Sequence, residues 1–217
     1  VDTRKRWRRL TVWLHILSSA GWMAQAMALC VMLSTGLATD DPAVRAASTT
    51  MSLATDARLL APMADVSAFT GIMLSAATPW GFFRHRWVLV KFVITLVQLY
   101  AGIFLLSPQL QQSAVTGPVP AQVVATALMA SAIAFQAWLS VAKPWGPVGR
   151  RRRGGNTGPA WVFVAAVLGG LADLALALVL GHPMPLLSIA LIVVVLAVRR
   201  SWTVAPAGGR PAPGRIG

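Results

Sequence analysis

The chain has 217 residues, 56% of them hydrophobic and 12% charged, with a formal net charge of +13 and a mean hydropathy of +0.66. That charged share is about half of the roughly 25% found in soluble domains, too little to cover a water-facing surface. The positive balance would suit nucleic acid, but the basic residues sit in short clusters beside apolar runs and no nucleic-acid-binding motif accompanies them, so that class is excluded.

Six apolar segments follow in chain order. They cover about residues 10–33, 59–80, 87–107, 121–142, 160–181 and 183–198. The expected fold is therefore all-α: a polytopic membrane bundle of six transmembrane helices in one domain. The first segment exceeds the usual 7–15-residue core of a secretory signal and reads as an uncleaved span. In the stretch 34–58, Asp41 before Pro42 is a helix start signal, so a short helix is expected to lead into the second span. Residues 108–120, "PQLQQSAVTGPVP", read as a polar loop bounded by prolines. The sixth segment has sixteen residues, roughly 24 Å at 1.5 Å per residue, slightly short of a ~30 Å hydrocarbon core. Residues 199–217 read as a disordered basic tail.

The basic clusters set the orientation. Loops on the cytoplasmic side carry the excess of Lys and Arg. With six spans and the N-terminus inside, the inner segments are the basic stretch 1–9, "FFRHR", "KPWGPVGRRRRGG" and the tail. Together with Lys91 these hold all of the nineteen Lys and Arg except Arg45 and Arg58. The expected topology is N-in and C-in. Arg84 and Arg86 at the headgroups, with Trp80, Trp87 and Trp145 in the interfacial belt, are the expected anchors. Pro79-Trp80-Gly81 and Pro144-Trp145-Gly146 each precede a basic turn, a faint repeat that would pair spans two and three with spans four and five. There is no glutamate, and arginine outnumbers lysine, which points to a GC-rich bacterial genome and hence to a bacterial cytoplasmic membrane.

Ionisable groups inside spans are expensive and are candidates for function. Asp65 and Asp173 both fall roughly 9–12 Å from the outer ends of their spans. Gln25 and Gln98 fall at similar depth, so the four form an expected outer polar layer. The acids would be protonated, bind a cation or water, or bond to glutamine. Asp173 shares a seam of small residues with Ala165, Gly169 and Ala177 and should face protein. An inner polar layer would hold His15, Lys91 and Gln136. His15 lies on a stripe with Ser18, Ser19, Trp22 and Ala26 that should pack inward. Lys91 would reach the interface over Trp87.

His15 is also the candidate metal ligand. It has no second histidine within a span, which argues against bis-histidine haem. Met23, Met27 and Cys30 offer soft donors for copper, but the two methionines lie away from the His15 stripe. The single cysteine excludes an intrachain disulfide, and no CxxC, HExxH, GxGxxG or GxxxxGK(S/T) pattern occurs. No nucleophile–base set appears either, which argues against an enzyme. A small transport or accessory protein, using the acids for a proton or cation, is the leading expectation. A copper-handling or haem-binding redox module is the alternative.

"LHILSSAGWMA", with histidine seven residues before tryptophan, resembles the start of CopD-type copper-resistance membrane domains. "TGIMLSAATPWGFFRHRWVLVKFVITL" is similar to a set of uncharacterised actinobacterial integral membrane proteins related to them. The likeness covers residues 10–107. It implies a helical inner-membrane bundle and no particular reaction. Beyond the lipid bilayer, a homo-oligomer or a membrane-complex partner is left open.

Overall fold

The computed structural model describes residues 2–146 and 157–203. The Arg150 to Arg153 cluster and the residues after Thr203 lie outside the described residues, and with them most of the expected tail. The fold is all-α. Among the described residues there are six helices: α1 (Thr3–Ala38), α2 (Pro42–Ala77), α3 (Arg86–Thr116), α4 (Pro120–Ala142), α5 (Ala160–Leu180) and α6 (Leu186–Thr203). The first five are long and apolar enough to cross a membrane, whereas the apolar part of α6 is the shorter Leu186–Arg199.

Three helices, α1, α2 and α3, run longer than the sequence suggests. The stretch 34–58 is almost entirely helical, broken only between Ala38 and Pro42. Asp41 caps the start of α2, accepting from the N–H groups of Ala43 at 2.8 Å and Val44 at 3.4 Å, as its place before Pro42 predicts. Arg45 then donates to Gly36 O and Thr39 O. It satisfies carbonyls that the end of α1 leaves open, a local reason for a basic residue away from the other clusters.

The expected loop at 108–120 is also helix as far as Thr116, with only residues 117–119 linking α3 to α4. The cause is the same in α2 and α3. Each helix widens into a π-turn, Asp56–Leu60 in α2 and Gly102–Leu106 in α3, just before a proline, Pro62 or Pro108. A proline ring normally collides with the carbonyl four residues back and removes one hydrogen bond. The wide turn re-routes the bonding, with Ala61 N–H bonded to Asp56 O and Ser107 N–H to Gly102 O. Each helix therefore passes its proline instead of stopping.

Helices α1, α2 and α5 form the middle of the bundle, with α4 against α1 and α6 against α5 and α2. Three apolar clusters stack along it. Phe69, Met73, Phe163 and Val195 fill the end that carries the basic turns. Trp22, Ala26, Ala64 and Met129 fill the middle, and Leu29, Leu33 and Leu110 the far end. Glycines allow the close crossings: a Cβ on Gly170 would sit 3.4 to 3.6 Å from Val66, Leu14 and Phe69. The outside is as apolar as the inside. Trp13, Ile16 and Val31 on α1 and Val97, Ile103 and Phe104 on α3 are all more than half exposed. Ser, Thr and Gln side chains, by contrast, are buried between helices. This distribution suits a bilayer, where helix contacts use small and polar residues and the lipid face is apolar.

Candidate functional site

The site begins with two neighbouring helices. On the seam of α5, Gly169, Asp173 and Ala177 are buried and Ala165 partly so, and the seam faces protein. The Asp173 carboxylate accepts from the Ser188 N–H at 2.7 Å. Ser188 lies in the first turn of α6, whose N–H groups have no partner within their own helix. Asp173 thus caps α6 from the neighbouring helix, where the helix dipole favours negative charge.

Asp65 on α2 is within coulombic reach of Asp173 but is arranged differently. It lines a cavity of about 200 Å3 and accepts no hydrogen bond from the described residues. The cavity occupies the half of the bundle away from the basic turns. Its walls come from α1 (Trp22, Leu29, Leu33), α2 (Asp56, Leu60, Asp65), α3 (Gln98, Leu106, Ser107) and α4 (Gln122, Met129). Both π-turns border it, and across it Ser107 donates to the Asp56 carboxylate at 2.5 Å. Trp22 is 3% exposed, and its indole N–H is buried with no hydrogen-bond partner among the described residues. Asp56, Ser107 and the unpaired indole were not among the expected site residues. The sequence pattern places Asp56 and Ser107 at or beyond a span end, and only the π-turns bring each into a continuous helix.

The expected outer and inner layers are joined rather than separate. Gln98 donates to Met129 O at 3.1 Å and accepts from Gln136 Nε2 at 2.5 Å. Thr95 donates to Gln136 Oε1 at 2.9 Å. Closer to the basic turns, Lys91 Nζ donates to Ser140 at 2.6 Å, and Ser140 donates to Gln136 O at 3.0 Å. A polar seam between α3 and α4 therefore runs from the cavity wall at Gln98 to Lys91. Gln25 does not join the acids: it is partly buried on the flank of α1 and does not line the cavity. The inward stripe of α1 passes through Trp22, Ala26, Leu29 and Leu33 instead.

His15 packs inward against α2, not against Gln136. Its Nδ1 lies 3.0 Å from Ser67 O and 3.1 Å from Thr70 Oγ1, and its ring lies over Gly71. Lys91 is within coulombic reach of it. Lys91 does not extend over Trp87 as expected, its Nζ bonding to Ser140 instead; Lys143 lies 4.8 Å from the Trp80 ring centre. Trp87 is 7% exposed, so it is not itself a headgroup anchor but the support for Trp80, which meets it edge-on at 4.9 Å. Trp80 and Trp145 remain about 40% exposed, and the two Pro-Trp-Gly turns meet there around one shallow pocket with His85 and Lys143. Arg84 donates to Pro79 O at 3.3 Å, and Arg86 is exposed at the start of α3.

A metal fits these residues poorly. No group of three or more His, Cys, Asp or Glu that could hold one occurs among the described residues. His15 Nδ1 is committed to α2, and Cys30 Sγ is directed to Val123 O at 3.7 Å. Met23 packs in the middle cluster and Met27 is half exposed. The donors for copper therefore point in different directions, and His15 is the one histidine inside a helix among the described residues. No protein-family model, no curated protein and no solved structure matches this chain.

Proposed function

We propose that this chain is a multi-pass protein of a bacterial cytoplasmic membrane that carries a proton or cation by way of Asp65. The observation that supports this reading is the state of the two intramembrane acids. Asp173 has a structural bond to α6. Asp65 lines a cavity with no such bond, and an ionisable group left in that position is a candidate for function. The seam from Gln98 to Lys91 supports it too, because it extends a polar route from the cavity toward the basic end.

The test is flux into liposomes containing the purified protein, driven by a pH gradient or a membrane potential. Asp65→Asn should fold, since asparagine matches the shape of aspartate, but should lower the flux more than about tenfold. Asp173→Asn should retain flux. Equal flux for Asp65→Asn and wild type would defeat the reading.

The orientation belongs to the same proposal: six spans, with both termini and both Pro-Trp-Gly turns on the cytoplasmic side. The basic clusters support it. The apolar part of α6 is short for a full crossing, a deficit that local thinning of the bilayer covers. Single cysteines placed near Arg152 and after Thr203 should resist a membrane-impermeant maleimide in intact cells and react after lysis. Labelling of either position in intact cells would reverse the topology.

A further inference from the structure

The walls of the Asp65 cavity narrow the class of cation. A bare metal ion requires several oxygens: calcium takes six to eight, and magnesium a near-ideal octahedron. The oxygens here are largely committed. Gln98 Oε1 accepts from Gln136, and Gln122 Oε1 accepts from Ser113 and from Val119 N–H. Asp56 accepts from Ser107, and the Thr126 hydroxyl donates to carbonyls of its own helix. Of the two carboxylates in the wall, Asp56 accepts from Ser107 through Oδ2, and Asp65 accepts no hydrogen bond from the described residues, so two carboxylates fall short of the six or more oxygens that such an ion takes. A hydrated ion would fare no better, because most of the remaining wall is leucine, methionine and the Trp22 ring.

An organic cation satisfies both kinds of wall. Its apolar body removes leucine surface from water. Its ammonium pairs with Asp65 and gains from an aromatic wall. The size is set by the cavity of about 200 Å3. An apolar cavity of about 150 Å3 holds benzene, so this one holds a single ring with a short aminoalkyl arm. We infer that the cavity between α1, α2, α3 and α4 is a binding site for a small lipophilic amine, with its ammonium on Asp65 and its ring against Trp22 and the surrounding leucines. This inference rests on the reading of Asp65 as the working acid and names the chemical class of its cargo.

The test uses the full chain in detergent, with benzylamine as the probe and benzyl alcohol as its uncharged counterpart. Binding is read as a saturable rise in the unfolding midpoint and, independently, by equilibrium dialysis. Benzylamine should bind and benzyl alcohol should bind at least about tenfold more weakly, since only the amine pairs with the carboxylate. Asp65→Asn should abolish the preference for the amine. Asp41→Asn, which keeps the cap at the start of α2 and lies outside the cavity, should retain it. Tetraphenylphosphonium, far larger than the cavity, should not compete. Equal binding of amine and alcohol, no binding of either, or an amine preference that survives Asp65→Asn would each overturn the inference. Flux measured on the same preparations separates the two levels. If amine binding fails while proton flux still depends on Asp65, the amine inference falls and the proton reading stands. If both fail, both fall.

Discussion

Asp173→Leu should destabilise the protein by about 3 kcal/mol or more, whereas Asp173→Asn should stay within about 1 kcal/mol of wild type. The contrast follows from the 2.7 Å bond between the Asp173 carboxylate and the Ser188 N–H. Leucine removes the acceptor and leaves a buried N–H in the first turn of α6 without a partner. Such a group costs about 1–3 kcal/mol, and water is not present in a bilayer interior to replace the bond. Leucine also brings a branched side chain into a seam lined by glycine and alanine, and overpacking of that kind typically adds about 1–3 kcal/mol. Asparagine keeps an acceptor oxygen in the same place. The measurement is unfolding of the purified protein in mixed micelles, followed by helical circular dichroism. If leucine and asparagine prove equally mild, Asp173 does not hold α6. Flux separates the two acids further, because Asp173→Asn should leave it intact and Asp65→Asn should not.

What the sequence shows about this fold is its all-α class and its apolar runs; what it hides is direction around each helix and the partners of backbone groups. The first, fourth and fifth spans were legible because uninterrupted apolar runs of the right length end at basic or glycine-rich turns. The small-residue seam on α5 showed that Asp173 faces protein. Its partner was not legible, since a backbone N–H at a helix start has no sequence signature of its own. Counting residues assigns Gln98 and Asp65 to one depth, and in the structure both line the same cavity. Only the packing of α3 against α4 shows that Gln98 bonds to Gln136, at 2.5 Å. The extensions of α2 and α3 were hidden for another reason. Pro62 and Pro108 are helix breakers in any reading by propensity, and the π-turns that accommodate them leave no periodic trace. Asp56 and Ser107 were lost with those extensions, and with them the far part of the cavity wall.

Gly170→Leu should destabilise the bundle by about 3 kcal/mol, while Gly170→Ala should change its stability by less than about 1 kcal/mol. Gly170 is buried on α5 where that helix meets α1 and α2. A methyl group there would lie 3.4 Å from Val66, 3.5 Å from Leu14 and 3.6 Å from Phe69, ordinary contact distances that need no displacement. Any atom beyond that methyl must enter the volume of those three side chains. Leu14 and Phe69 are 3% and 1% exposed and closely packed, so they have no free space into which to move. The helices must separate instead, and dispersion contacts are lost on both sides of the crossing. The neighbouring Gly169 provides the comparison. Its added Cβ would come within 2.6 Å of Leu191 Cδ1, the end of a flexible side chain on α6. Gly169→Ala should therefore cost more than Gly170→Ala, because Leu191 must change rotamer, and less than Gly170→Leu, because one methyl has to be accommodated rather than four carbons. Unfolding of the three variants in the same micelles should follow that order. A mild Gly170→Leu would mean that α5 does not approach α1 and α2 this closely. The helix crossing that positions Asp173 would then have to be redrawn.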